Sequence, residues 1–585
     1  MSARDPVKRP WPDWLLPWLP KSVLCLPGYG WRTFGADAVA GVTVGLVALP
    51  LAMAFAIASG LPPQAGIYCA IVTGFLISAL GGSRFQIGGP TGAFVVVVSA
   101  IVARHGIDGL FTCTMMAGVL LIALGLGRFG STVRFIPRPV VIGFTNGIAV
   151  LIASTQIKDF LGLDLDTVPG EFVERLQALW AALPTLSTAT ALLASVTLAG
   201  LVFLQRSVKR VPAMVVALFG GTLAAALLGL PVETIGSRFG GIPMGLPSMH
   251  LPEFRLDLLP ALFPAAVTVA LLGAIESLLS AVVADRMSGD RHNPNVELIA
   301  QGVANVISPL FGGLPATGAL ARTATNVRSG ARTPVAGIIH AATLLLVVLF
   351  AAPLAQYIPL AVLAAILVLV AYNMGEWHEI PELLKLAKTD VSVWFVTFAL
   401  TVFADLTVAV EVGIVLAALL FIRRVADTTT VEPVTPDYVE SGRAHILQDK
   451  EIPSYVAIFR IHGPFLFGST DKLDAITDRV DTLPPIVILR LRNMTALDAT
   501  GMRAIEDLAA KLQSSGRHLL LCGARRQPAQ LLERAEIHAA LGAGNVLPHV
   551  NDALARARAL HAADATDAAA AARRAPPAAA LRSVG

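Results

Sequence analysis

Long apolar runs with few charges recur through the first three quarters of the chain, separated by turns rich in Gly, Pro and Arg. A stretch of about 20 apolar residues matches the hydrocarbon thickness of a bilayer. With no water at that depth, each backbone N–H and C=O must find a partner within the protein, which restricts such runs to helices. Candidate segments fall at 36–58, 64–81, 90–103, 107–126, 139–157, 187–203 and 211–228, then at 258–284, 296–311, 318–328, 334–351, 359–373, 391–403 and 407–422. Composition agrees, with 14% of residues charged where a soluble domain carries roughly 25%. The expected fold class is an α-helical polytopic membrane protein with the lipid bilayer as its surroundings.

Other classes are excluded early. A net charge of +4 is unremarkable for a membrane protein and gives no nucleic-acid partner. Cys25, Cys69, Cys113 and Cys522 are scattered, in neither a metal-ligand spacing nor a disulfide framework. The histidines show no zinc spacing, and phosphate loops, nucleophile elbows and kinase signatures are absent. No enzyme activity, cofactor or metal is expected.

Fourteen candidate segments, an even number, put both termini on one side. Arg128, Arg134 and Arg138, then Arg206, Lys209 and Arg210, then Arg328 and Arg332, and finally Arg423 and Arg424 mark one set of connections. The opposite loop, 158–186, carries Asp159, Asp164, Asp166, Glu171 and Glu174. Basic loops stay inside, so both termini are expected to be cytoplasmic, in the inner (plasma) membrane. Residues 1–35 form a retained N-terminal segment, without a signal-peptide core. There Trp11, Trp14 and Trp18 read either as interfacial anchors or as packing residues.

After Arg424 the pattern changes. Stretches 455–461, 486–491 and 519–522 read as strands, and 472–480, 500–514 and 527–541 as helices. A soluble α/β domain is therefore expected over 440–560, following a transport domain at 36–425. The Ala-rich tail 562–585 is expected to lack structure.

Two membrane segments differ from simple spans. Gly88-Gly89-Pro90-Thr91-Gly92-Ala93-Phe94 and Gly312-Gly313-Leu314-Pro315-Ala316-Thr317-Gly318-Ala319-Leu320 each place Gly and Pro before a short apolar stretch. Both contain Thr-Gly-Ala, and Val42-Thr43-Val44 recurs as Val267-Thr268-Val269 at nearly the same offset. Paired interrupted segments of this kind mark a transporter's midplane site. A helix that starts inside the membrane presents free N–H groups and a positive dipole end, and two such ends facing each other suit an anion. Tight helix packing through small residues is the structural alternative.

The chain resembles the sulfate permease (SulP) family of anion transporters from about 36 to 559. The likeness rests on Val47-Ala48-Leu49-Pro50-Leu51-Ala52-Met53-Ala54-Phe55-Ala56, Gly82-Ser83-Arg84-Phe85-Gln86-Ile87-Gly88-Gly89-Pro90-Thr91, Leu272-Gly273-Ala274-Ile275-Glu276-Ser277-Leu278-Leu279 and Ala319-Leu320-Ala321-Arg322-Thr323-Ala324-Thr325-Asn326-Val327-Arg328. The soluble domain resembles STAS domains. The resemblance implies a seven-plus-seven inverted repeat, two half-helices preceded by short strands, an elevator-like motion and a homodimer. It selects Phe55, Pro90, Thr91, Gly92, Thr317, Gly318, Ala319 and Arg322 for the anion. Arg322 stands to supply positive potential there or to pair with Glu276.

Glu276 is the one acid in the apolar segment 258–284. Intramembrane acids are functional candidates, and a desolvated carboxylate favours taking up a proton; a permanently paired structural acid is the alternative. Sodium-coupled bicarbonate members of the family use Asp there with a Thr one turn later and another on the tenth segment. Here stand Glu276, Ser280 and Leu320, which favours proton symport or exchange. Sulfate, bicarbonate and C4-dicarboxylates are the expected substrate classes. Competing readings are a nucleobase permease of the same architecture and an anion sensor signalling through its STAS domain to a cytoplasmic partner. In that domain Asp498-Ala499-Thr500-Gly501 resembles the STAS Asp-x-Ser-Gly phosphorylation motif, which makes Thr500 a candidate phosphosite; an ordinary helix N-cap at Asp498 or Thr500 is the alternative.

Overall fold

The structure, a computed structural model, describes residues 12, 14–130, 137–165, 168–207, 212–245, 247–249, 256–385, 387–404, 406–434, 452–537, 541–542 and 544–574. Trp11, Arg134, Asp166, Lys209 and Arg210 lie outside the described residues. The chain divides into two compact units, 1–417 and 418–585.

The first unit is helical. Its helices are α1 (Trp31–Ala58), α2 (Pro63–Leu80), α3 (Gly92–Leu126), α4 (Arg138–Leu161), α5 (Phe172–Ala182), α6 (Thr188–Ser207), α7 (Ala213–Leu227), α8 (Leu259–Ser288), α9 (Pro294–Ile307), α10 (Leu320–Arg328), α11 (Val335–Ala355), α12 (Leu360–Met374), α13 (Lys388–Phe403) and α14 (Leu406–Asp427), the last running into the second unit. Among the described residues, eight helices are long and apolar enough to cross a membrane, with α7 a shorter apolar helix beside them. Two expected segments are the limbs of α3, which breaks at Gly106 with φ 71°, a conformation that costs glycine little. The apolar segments thus form two seven-segment halves in inverted repeat. Among the described residues, helix α5, in the acidic loop, is the one helix of the membrane unit longer than two turns that lies outside this set.

Small residues set the close crossings. A Cβ on Gly41 of α1 would lie 2.4 Å from the Ala336 carbonyl oxygen of α11, and one on Gly302 of α9 would lie 2.5 Å from the Gly118 carbonyl oxygen of α3. Helices approach this closely in membranes where the interface residue lacks a side chain. Two buried acids tie the loops between them. Asp37 accepts from Arg332 N–H (2.7 Å), Thr333 N–H (3.1 Å) and the Thr333 hydroxyl (2.6 Å). Glu297 accepts from Gly82 N–H (2.9 Å), Ser83 N–H (3.1 Å) and Gln301 (2.9 Å). Each carboxylate meets donors otherwise orphaned at low dielectric, which is the condition for burying it. Near the N-terminus Trp14 is exposed, while Trp18 lies under the guanidinium of Arg128 at 5.6 Å.

Two short strands, β1 (Gly88–Gly89) and β2 (Thr317–Gly318), pair antiparallel, with Gly88 opposite Gly318 and Gly89 opposite Thr317. They join the halves immediately before α3 and α10 begin.

The second unit is an α/β domain with a five-stranded sheet of order β3 (Thr430–Pro433), β4 (Val456–Phe465), β5 (Ile486–Leu497), β6 (His518–Cys522) and β7 (Val546–Leu547), parallel except for the β3–β4 pair. Side chains alternate along each strand. Leu519 and Leu521 therefore pack with Met502, Ile505 and Leu508 of α15 (Ala499–Ser514) and Leu532 of α16 (Arg526–Arg534). Leu520 and Cys522 face Val550, Ala553 and Ala557 of α17 (Val550–Arg574) on the other side. Two expectations need correction. The domain's first strand starts at Thr430, ahead of 440, because β-branched Thr430 and Val431 suit a strand edge. The tail from Ala562 continues α17 to Arg574, because alanine is the strongest helix former.

Candidate functional site

Residues 85–92 reach the site through a frame of hydrogen bonds. Ala319 N–H donates to the Ile87 carbonyl (2.8 Å), and Ile87 N–H donates to the Thr323 hydroxyl (3.1 Å). Gln86 donates to the Ser277 carbonyl (2.9 Å) and Thr317 donates to the Gly273 carbonyl (2.8 Å). The β1–β2 pair is thereby pinned to α8 at Gly273 and Ser277, on either side of Glu276. This fixes the strands and the acid in one rigid body.

The two half-helices start differently. Thr91 is the N-cap of α3, but its side chain caps no backbone N–H. Its hydroxyl donates to Glu276 Oε2 at 2.8 Å instead, while the first-turn Phe94 N–H donates to the Thr91 carbonyl (3.2 Å). Ala319 is the N-cap of α10, with no side-chain cap either. Arg322, one turn into α10, is buried at 2% exposure. Its Nη2 donates to the Pro90 carbonyl, while its Nη1 meets no acceptor among the described residues. Among the described residues no ion pair joins Arg322 to Glu276. The guanidinium thus lies beside the Pro90 carbonyl, just ahead of the start of α3.

Gly89 makes room for that charge. A Cβ there would sit 2.2 Å from Arg322 Nη1, and its φ of +152° is one that side chains rarely adopt. At the mouth of α3, a Cβ on Gly92 would meet Ile152 Cδ1 of α4 at 3.0 Å, Phe55 Cε1 of α1 at 3.3 Å and Met374 Sδ of α12 at 3.4 Å. Phe55, Pro90, Thr91, Gly92, Glu276, Ala319 and Arg322 are thus brought together. Thr317 and Gly318 are placed otherwise: the Thr317 hydroxyl is spent on α8, and a Cβ on Gly318 would collide with Gln86 Nε2 at 1.6 Å. Sequence reasoning missed Ile152 and Met374, which carry no signal among so many apolar residues. It also missed Asp37 and Glu297, whose signal, an acid within or beside an apolar segment, was present.

In the α/β unit, Asp498 is the N-cap of α15, accepting from Gly501 N–H (2.8 Å) and, through its other oxygen, from Phe467 N–H (3.0 Å). Thr500 is exposed in the first turn. The capping role falls to Asp498, and the Thr500 hydroxyl is accessible.

Eight helices among the described residues are long and apolar enough to cross a membrane, and two helices start beside a buried guanidinium, an arrangement that fits a membrane transporter of anions. The sulfate permease family model matches residues 34–397 and the STAS domain model residues 448–553. The chain belongs to the sulfate permease family. The Bacillus subtilis protein YvdB is 40% identical over 526 residues, covering 89% of this chain and 97% of its own length. The bicarbonate transporter BicA of Synechocystis is 33% identical over 519 residues, covering 86% of this chain and 91% of its own. Among solved structures, SLC26A9 superposes with a TM-score of 0.83 over 94% of both chains at 19% identity, a likeness of fold. The protein is a transporter and not an enzyme. The nucleobase alternative is not favoured, since the relatives the chain matches over most of its length are named for sulfate and bicarbonate.

Proposed function

We propose that the protein is a secondary active transporter of small anions of the sulfate, bicarbonate or C4-dicarboxylate class, with a proton carried on Glu276. The observation that carries this reading is the bond from the Thr91 hydroxyl to Glu276 at the open N-terminus of α3. An anion seated between the starts of α3 and α10 meets free N–H groups, the field of Arg322 and the Thr91 hydroxyl. It also meets the charge of Glu276. A neutral carboxyl removes the repulsion and releases Thr91 to the anion, so proton and anion each favour the other's binding; this coupling is reciprocal. Phe55 and Gly92, with Pro90 and Ala319, form the floor, while Thr317 and Gly318 hold the strand pair in register.

Relatives named for sulfate and for bicarbonate transport support the substrate class. An elevator-like movement of the half-helices, a homodimer, and cytoplasmic termini in the plasma membrane belong to the same reading. So does a regulatory STAS domain, with Thr500 as its phosphosite and a cytoplasmic partner. The test is uptake of labelled sulfate, bicarbonate and succinate into proteoliposomes under imposed pH and sodium gradients. Saturable uptake of one of them, driven by inward protons and indifferent to sodium, is expected. Uptake that follows the sodium gradient alone contradicts the coupling, and failure of all three anions contradicts the substrate class.

A further inference from the structure

The apolar span 360–383 does not run as one helix. Helix α12 stops at Met374, a tight turn follows at Trp377–Glu379, and helix resumes over Ile380–Leu383. The break falls at Gly375 and Glu376. A Cβ on Gly375 would lie 2.4 Å from the Trp377 ring, so the corner takes glycine. Glu376 holds φ +42° and ψ +37°, left-handed backbone that a side chain adopts at a cost. Among the described residues it is the one non-glycine residue with positive φ inside an apolar span. Such strain persists where the surroundings hold it. A span broken at membrane depth also frees carbonyls that protein or water has to meet.

The group that meets and holds the break is Asn146 of α4, which is fully buried. Its Nδ2 donates to the Gly375 carbonyl, and its Oδ1 accepts from the Trp394 indole N–H of α13 at 2.9 Å. The second bond orients the amide, so that its nitrogen faces α12. Trp394 is fixed in turn. Its ring stacks on Phe398, with centroids 6.0 Å apart, and a Cβ on Gly143 of α4 would lie 2.5 Å from its carbonyl oxygen. Eight residues before Asn146, about two turns along α4, Arg138 pairs with Glu379 at 2.5 Å. Helix α4 therefore grips the broken span on both sides of Glu376.

The consequence reaches the start of α3. Met374 is the last residue of α12 before the break, and its Sδ is among the side-chain atoms that crowd Gly92. Helix ends with unmet carbonyls fray, and fraying here would carry Met374 away from Gly92. From this geometry we infer that Asn146 is a positioning residue for anion transport: its bond to the Gly375 carbonyl holds the end of α12 so that Met374 covers the start of α3. Loosening that bond uncovers it. The inference rests on the reading that seats the anion at the start of α3, and Asn146 acts there through Met374.

The test is the rate at which a charged methanethiosulfonate modifies the thiol of Met374→Cys. Full-length protein in nanodiscs is used, carrying Cys25→Ser; Cys69, Cys113 and Cys522 are buried. Asn146→Leu is expected to speed modification at least about fivefold, the effect of releasing one hydrogen bond. Trp394→Phe keeps a ring and loses the indole N–H that orients the amide, so a smaller acceleration is expected. Leu367→Cys, buried two turns earlier in α12, is expected to stay unreactive with either change. Modification of Met374→Cys at the parent rate in both Asn146→Leu and Trp394→Phe overturns the inference. Equal acceleration at Leu367→Cys means that α12 as a whole has loosened, and overturns it too. The reagent needs no transported anion, so this result judges the latch apart from the substrate reading. With Met374 in place, uptake of labelled sulfate by Asn146→Leu is expected to show KM raised about fivefold and kcat unchanged. A lowered kcat at the parent's KM marks a merely structural role and contradicts the inference.

Discussion

The two half-helices have the same construction, a two-residue strand leading into a helix at membrane depth, yet they deliver opposite chemistry. The start of α3 brings a hydroxyl, Thr91, against an acid of α8. The start of α10 brings a buried guanidinium that reaches across to Pro90 at the other start. The repeat supplies the frame twice, with paired strands and helix starts that have no side-chain cap. The copies diverge in their side chains: the start of α3 carries the hydroxyl that reaches Glu276, and α10 carries the buried guanidinium.

Removing the fixed charge is the severest challenge to this comparison. Arg322→Ala takes a buried cation from the α10 half and leaves the Pro90 carbonyl without its donor. Loss of a hydrogen bond to a charged group at about 1.5–3 kcal/mol corresponds to a fall in uptake kcat/KM of about tenfold to a hundredfold, before the lost field is counted. Near-normal uptake in this variant means that α10 does not provide the charge.

Gly89→Ala comes next. The added Cβ would push on Arg322 Nη1 from 2.2 Å, so the variant is expected to lose most of the uptake that Arg322→Ala loses. Combined with Arg322→Ala it is expected to cost little more, because neighbours acting through one contact are not additive. Fully additive losses separate Gly89 from the charge.

The pair Thr91→Val and Thr317→Val sharpens the contrast with the smallest effects. Thr91→Val is expected to raise KM by about fivefold to tenfold, the loss of one hydrogen bond of roughly 1 kcal/mol. Thr317→Val leaves the Gly273 carbonyl short of a donor and is expected to lower thermal stability by about 1–2 kcal/mol with KM unchanged. An altered KM in Thr317→Val with normal stability puts its hydroxyl in the anion site after all.

Much of the frame was legible in the sequence because its causes are local. Apolar length marks spans, and Gly and Pro before a short apolar run mark a helix starting within the membrane. The Thr-Gly-Ala match was less faithful. Thr91 is the N-cap of α3, whereas Thr317 lies in β2 and the cap of α10 is Ala319. The matching tripeptides therefore sit two residues apart in structural register, because strand pairing decides register and a tripeptide match does not. Ile152 and Met374 became visible only when α4 and α12 were packed against Gly92. In the α/β unit β6 was legible from its run of Leu, whereas β7 is two residues long and exists only as a partner of β6.

The central claim is that Glu276 carries the proton that accompanies the anion. Initial uptake rates in proteoliposomes, measured against external pH for the parent protein and for Glu276→Gln, test it most directly. The neutral amide imitates the protonated acid, so Glu276→Gln is expected to bind the anion and exchange it across the membrane at a rate independent of pH, without accumulation against a gradient. A Glu276→Gln protein that keeps the parent's pH dependence and still concentrates the anion on a proton gradient contradicts the account.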